Sequence, residues 1–214
     1  MTNNIWAIVP LKPLNRSKSR LAPVLDIEQR EALSREMFVR TLKTLKKVKG
    51  IAGILVVSRD TAALALARSY DVQTLQESGA PELNASLTRA TQAVLDLNAN
   101  GVLIVASDIP LLQAEDLEAM IQLASTPPVT VVATDRRQDG TNVMLVAPPG
   151  LFPYAYGKGS CRKHIEAAKA AGAEIHEYDS PALALDVDIP SDLDLYRERL
   201  MAYEVSEPAW PGIL

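Results

Sequence analysis

A chain of 214 residues with 48% hydrophobic and 22% charged side chains has the balance of a globular domain with a real core. Its 26 acidic residues outnumber its 22 basic ones, and a net charge of −4 argues against non-specific nucleic-acid binding, which needs a cationic face. A single cysteine excludes an internal disulfide and fits a reducing cytoplasm, and neither a bilayer-length apolar run nor a leader pattern points to a membrane.

Ile5 to Val9 reads as a first buried strand ended by Pro10. The loop that follows, LKPLNRSKSRLAPVL, carries Lys12, Arg16, Lys18 and Arg20 and no acid before Asp26. A cationic loop after the first strand of an α/β sheet suits phosphates, although a solvated charged loop has the same composition. Asp26, with Gln29 three residues on, opens a long helix by the capping-box rule, and Gly50 ends it. Ile54–Val57 is a second strand, Thr61–Tyr70 a helix and Val72–Leu75 a short strand. Asn84 is placed to cap the next helix, whose apolar face is Leu87, Ala90, Val94 and Leu97.

Val102 to Ala106 is an unbroken apolar run, the mark of a strand covered on both faces. It ends in Ser107-Asp108, and Pro110 bars further pairing. Asp108 is therefore expected at the carboxyl end of a central strand, where open α/β sheets take their ligands; a helix cap or turn former is the competing reading. A helix over Gln113–Ala124, a strand over Val129–Ala133, the polar turn Asp135–Asn142 and a strand over Val143–Ala147 follow. FPYAYGKGSCRKH then leads into a helix from about Ser160 to Ala171, and Ile175–Tyr178 is a late strand. The alternation of strand and helix predicts a mostly parallel sheet, with the strands near 143 and 175 as antiparallel additions.

Near the end, Leu185-Asp186-Val187-Asp188 is expected to be extended, so that residues i and i+2 put both carboxylates on one face. Ser191 and Asp194 then fit a helix start. Three carboxylates at one rim repel unless neutralised, and a hard divalent cation such as Mg²⁺, bound with substrate phosphates, resolves this. Together with the cationic loop, the pattern suits a nucleoside triphosphate. No GxxxxGK[ST] and no GxGxxG is present, which counts against a P-loop enzyme and a dinucleotide oxidoreductase. His164 and His176 lack a third partner for zinc and read as structural or surface groups; Cys161 reads as a small buried hydrophobe.

Ser19-Arg20-Leu21-Ala22-Pro23 resembles the end of the phosphate loop in nucleotidyltransferases of the glycosyltransferase-A type. With VPLKPLNRSKSRL, SDIPLL, Asp-Gly-Thr-Asn, FPYAYGKGS and LDVDIPSDL, the chain is similar to the guanylyltransferase family of coenzyme F-420 biosynthesis, from Ile5 to about Leu200. That resemblance implies a Rossmann-like, three-layer α/β sandwich of the nucleotide-diphospho-sugar transferase kind. It implies one nucleotidyltransferase domain over 1–200 and a tail over 201–214. It further implies transfer of GMP from GTP to a phosphorylated three-carbon acid: phosphoenolpyruvate, 2-phospho-L-lactate or 3-phosphoglycerate. Phosphoenolpyruvate is the preferred acceptor, and the product would pass to the next transferase of the pathway.

By the same resemblance Asp108, Asp186 and Asp188 would bind a pair of Mg²⁺ ions. Lys12, Lys18 and Arg20 would hold the triphosphate, with Lys18 and Arg20 catalytic beside the three aspartates. Thr141, Gly157 and Ser160 would hold the acceptor's carboxylate, and Asn84 would meet the nucleotide. A cytoplasmic homodimer is implied, with Trp210 in an apolar tail suited to docking. The rival readings are a nucleotidyltransferase for a sugar phosphate or the molybdenum cofactor, and a catalytically silent binding subunit.

Overall fold

The computed structural model describes residues 4–78 and 82–203. These residues form one seven-stranded sheet: β1 (Ile5–Leu11), β2 (Ile51–Ser58), β3 (Gln73–Gln76), β4 (Gly101–Val105), β5 (Val129–Thr134), β6 (Thr141–Ala147) and β7 (Glu174–Glu177). The order across it is β3-β2-β1-β4-β6-β5-β7. The helices are α1 (Ile27–Leu45), α2 (Thr61–Arg68), α3 (Leu83–Leu95), α4 (Ala114–Leu123), α5 (Ser160–Ala170), α6 (Pro181–Ala184) and α7 (Pro190–Tyr203).

The period-two alternation of β1 divides the core. Ile5, Ala7 and Val9 pack with Phe38 and Leu42 of α1, Leu64 of α2, and Leu117 and Met120 of α4. Trp6 and Ile8 point the other way, toward Leu87, Ala90 and Val94 of α3 and Ala168 of α5. The result is a sheet covered on both faces, the three-layer sandwich expected from the buried apolar strands. A third apolar cluster joins Leu21 and Leu25 of the β1–α1 loop to Met37, Leu185, Val187, Leu193 and Tyr196. It welds the cationic loop to the aspartate segment and α7. Gly53 of β2 is a packing necessity, since a Cβ there would lie 2.5 Å from the Trp6 ring.

Several expected boundaries shift. β1 runs through Pro10, which still pairs in register with Val57 of β2. Its missing N–H costs nothing there, because the β1–β4 ladder has already stopped at Ile8 and Ile104. β6 pairs antiparallel with both β4 and β5, as foreseen. β7 instead runs parallel to β5: after β6 residues 148–159 return the chain to the rim, where Ser160 meets Thr141, and α5 then runs back to the opposite edge, from which β7 starts beside β5. α1 has the predicted capping box, with Asp26 and Gln29 exchanging side-chain and backbone bonds. α3 starts one residue before Asn84, so Asn84 is not its cap. Trp210 and the tail beyond Tyr203 lie outside the described residues.

Candidate active site

The reversed direction of β6 explains the site. Val143 of β6 faces Val105 of β4, so the start of β6 stands beside the carboxyl end of β4. Thr141 and Asn142 are thereby brought to the rim that holds Asp108. A cleft of about 450 Å³ opens at this rim. Its lining includes Lys12, Lys18, Asp108, Thr141, Asp186 and Asp188, with Arg59, Glu77, Glu82 and Tyr156 further along.

Lys18 is the hinge of the cluster. Its side chain is 5% exposed, and its Nζ lies 2.6 Å from Asp108 Oδ2 and 3.0 Å from Asp188 Oδ1. Its backbone adopts φ +55°, a left-handed conformation a lysine rarely takes, which fits a loop built to aim this ammonium inward. Burial opposes the charge, but Asp108 and Asp188 outweigh it and raise the lysine's pKa. Burial likewise works against Asp188, yet Lys18 prevails and lowers that carboxyl's pKa. Asp186 has no such partner: burial first, then Asp108 and Asp188, push it up to about 6. Its buried Oδ1 has no hydrogen-bond partner.

The aspartate segment is not a strand. It is an irregular stretch between α6 and α7, tied to the β4 loop by the bond from Val187 N–H to the Asp108 carbonyl at 3.2 Å. Its other anchor is Asp192, fully buried on α7. Asp192 Oδ2 accepts from the backbone N–H of Asp188 and Ile189 at 3.2 and 3.1 Å, while Arg136 and Arg137 donate to its Oδ1. The helix start anticipated at Ser191 and Asp194 thus lies earlier, at Pro190, with Asp192 as the residue reaching back.

The other predicted residues divide into those at the cleft and those behind it. Lys12 is exposed and lines the cleft. Arg20 is 74% exposed, and its nearest acid is Asp188 at 3.8 Å. Thr141 lines the cleft; Ser160 sits behind it and donates to Thr141 Oγ1 at 3.2 Å. Gly157 has φ +126°, open only to glycine, and its carbonyl accepts the Ser160 N–H. The start of α5 is not bare toward an anion: Gly159 N–H already donates to the Asp139 carboxylate at 3.0 Å, and Cys161 N–H to the Asp139 carbonyl. Asn84 spends its amide on the Tyr156 backbone, accepting from N–H at 2.8 Å and donating to the carbonyl at 3.3 Å. It holds the Tyr156 wall of the cleft in place.

Sequence reasoning missed Asp192, His164 and Asn142 as site supports. Asn142 donates to the carbonyls of Leu183 and Ala184, just before Asp186. His164 is fully buried and bonds to Thr141. His176 pairs with Glu174 at 3.2 Å, and Cys161 is buried with its thiol pKa raised by that burial.

A mostly parallel sheet with an acid–lysine cluster at its carboxyl rim is the architecture of a nucleotidyltransferase of the nucleotide-diphospho-sugar transferase fold. A solved candidate nucleotide-diphospho-sugar transferase from Desulfovibrio desulfuricans G20 superposes with a TM-score of 0.77, covering 97% of this chain and 92% of that one at 17% identity. The chain belongs to the guanylyl transferase CofC like family, whose model matches residues 5–201. A phosphoenolpyruvate guanylyltransferase of Rubrobacter xylanophilus is 35% identical over 89% of this chain and 92% of its own length. A 2-phospho-L-lactate guanylyltransferase of Methanothermobacter thermautotrophicus is 31% identical over 87% of this chain and 81% of its own. Among the described residues no helix is long and apolar enough to cross a membrane.

Proposed function

We propose that this protein transfers GMP from GTP to phosphoenolpyruvate and releases pyrophosphate, a step of coenzyme F-420 biosynthesis. The observation that carries this reading is the convergence of Asp108, Asp186 and Asp188 on one cleft with a buried Lys18 between two of them. Curated relatives named phosphoenolpyruvate guanylyltransferase support the choice of acceptor; the 2-phospho-L-lactate enzyme keeps that acid as the second candidate.

The donor set fits Mg²⁺. Three carboxylates supply hard oxygen ligands, and the unpartnered Asp186 Oδ1, on a carboxyl whose pKa is raised, is an acceptor awaiting a cation. Among the described residues no three acidic, histidine or cysteine groups stand as a ready-made centre, and the Lys18 ammonium lies between two of the aspartates. Asp108, Asp186 and Asp188 would hold the ion together with substrate phosphates; when bound it supplies charge neutralisation at the reacting phosphoryl groups.

An oxygen of the acceptor's phosphate attacks the α-phosphorus of GTP in line. The bond from that phosphorus to the α–β bridging oxygen breaks, a P–O–P bridge to the acceptor forms, and pyrophosphate leaves. A phosphate monoester with a second pKa of about 6 is already ionised near neutral pH, so the step needs no general base. The chain's work is positioning and charge. Lys18 keeps Asp108 and Asp188 convergent, and with Lys12 and Arg20 it holds the triphosphate and the leaving pyrophosphate. The Thr141 hydroxyl orients the acceptor through its carboxylate, with Ser160 and Gly157 shaping the loop behind.

Pyrophosphate release with GTP and Mg²⁺, measured side by side with phosphoenolpyruvate, 2-phospho-L-lactate and 3-phosphoglycerate, tests the reading. Fastest release with phosphoenolpyruvate, and a diphosphate product seen by phosphorus NMR, is the expected result. No release with any of the three, or faster turnover of CTP with a sugar phosphate, would contradict it.

A further inference from the structure

Behind the cleft, two hydroxyls and one imidazole form a chain of hydrogen bonds whose directions are fixed. His164 Nε2 lies 3.0 Å from the backbone nitrogen of Ala155 and accepts a hydrogen bond from its N–H. A ring nitrogen that accepts carries no hydrogen, so the neutral imidazole has its proton on Nδ1. Nδ1 lies 3.0 Å from Thr141 Oγ1 and must donate to it. Ser160 Oγ donates to the same oxygen. Thr141 Oγ1 thus has both lone pairs taken, and its own proton is left for a further group. Thr141 faces the cleft, and that proton is the one donor this hydroxyl has to offer there.

We propose that His164 is a positioning residue that makes the Thr141 hydroxyl a committed donor to the carboxylate of the acceptor. The inference rests on the proposed role of Thr141. A lone threonine hydroxyl donates and accepts equally well, and would spend part of its time turning a lone pair toward a carboxylate. Here Ala155 sets the tautomer, the tautomer sets Thr141, and the alternative orientation is closed before substrate arrives. This is preorganisation of a charge-assisted hydrogen bond.

The surroundings protect the arrangement. His164 is 0% exposed, with the Tyr156 ring edge-on at 4.7 Å and Phe152 at 6.3 Å. Burial first, and then the adjacent Lys163 charge, lower its pKa to about 4. A second ring proton would also point at the Ala155 N–H. The ring therefore stays neutral, in one tautomer, throughout the working pH range.

Two measurements test this. The chain has only two histidines, so His176→Gln leaves His164 as the single imidazole for nitrogen-15 NMR. From about pH 8 to about pH 5 the spectrum is expected to show Nδ1 protonated and Nε2 bare; a proton on Nε2 overturns the proposal. The second measurement is steady-state kinetics. His164→Leu removes the donor and is expected to raise KM for the acceptor about tenfold while leaving KM for GTP unchanged. His164→Asn, whose amide reaches the Nδ1 position, restores most of that loss. On a Thr141→Val background, His164→Leu adds nothing further. Equal effects on both substrates, no rescue by asparagine, or full additivity with Thr141→Val each overturn the proposal. An unaltered acceptor KM in folded Thr141→Val removes instead the role of Thr141 beneath it. The NMR arm is independent of whether His164→Leu folds.

Discussion

At the scale of single residues, Asp186 gives the clearest test of the site's electrostatics without substrate. Its folded pKa, pushed up to about 6 by burial and then by Asp108 and Asp188, lies above its unfolded value. The protonated form is the one the fold favours, so its contribution to stability is present below the unfolded pKa and is lost as pH rises through about 6. Asp186→Asn is neutral at every pH and is expected to melt higher than the parent at neutral pH and above, in the absence of divalent cations. The gap should close as the pH falls toward 4, near the ordinary carboxyl pKa. His164 has the opposite sign, contributing above its unfolded pKa and losing that contribution as pH falls through about 4. It is common to parent and variant, and cancels in the difference. A melting difference that is the same at every pH would mean that Asp186 is not strained by its neighbours.

The aspartates and Lys18 were legible before the fold because each sits at a punctuation mark: Ser107-Asp108 before Ile109-Pro110, Asp188 before Ile189-Pro190, Lys18 in a run without acids. His164 and Asp192 were not. Nothing local distinguishes a histidine or aspartate on a helix that supports a site from one that only fills space. The partner that ties each to the site from afar is 23 residues away for His164, at Thr141, and 55 for Asp192, at Arg137.

At the scale of elements, pattern reading succeeded where one face or both faces of a segment are buried and the period is unbroken, as in β1, β4 and α1. It erred where backbone is shaped by distant groups. The stretch from Leu185 to Asp188 alternates apolar and acidic residues like a strand, yet no neighbouring strand takes its backbone bonds. Asp192 takes some of them instead, with the N–H groups of Asp188 and Ile189 turned onto its carboxylate. Asp192→Ala leaves those donors and two guanidinium groups without their acceptor. A loss of about 1–3 kcal/mol in stability by denaturant titration is expected, together with weaker turnover. The arginines are partly solvated, which keeps the cost at the lower end. Unchanged stability and activity would show that the aspartate segment holds its shape without α7.

β2 offers a test that involves no site residue. Gly53→Ala drives a methyl into the Trp6 ring, which is only 8% exposed and walled in. Overpacking of this kind costs about 1–3 kcal/mol, readable as a lower thermal midpoint, while residual folded enzyme keeps its KM values. A midpoint equal to the parent's would place Trp6 outside the rigid core.

At the scale of the whole molecule, the fold is a device for bringing four separated stretches to one rim. The β1–α1 loop brings cations, the end of β4 brings Asp108, the reversed β6 brings Thr141, and the α6–α7 junction brings Asp186 and Asp188. The third apolar cluster, from Leu21 to Tyr196, fastens the first of these to the last. Sequence alone placed the first two at a carboxyl edge through the logic of parallel sheets. That Thr141 joins them follows from the antiparallel β6, and which residues of the loops turn inward follows from packing over long separations.

The central claim is that Asp108, Asp186 and Asp188 act together on phosphoryl groups. The most direct measurement is pyrophosphate release from GTP and phosphoenolpyruvate with Mg²⁺ by Asp188→Asn, alongside its thermal melt. A variant that melts as a folded protein but turns over at least about a hundredfold more slowly is the predicted result. A well-folded variant that releases pyrophosphate at nearly the parent rate would contradict it.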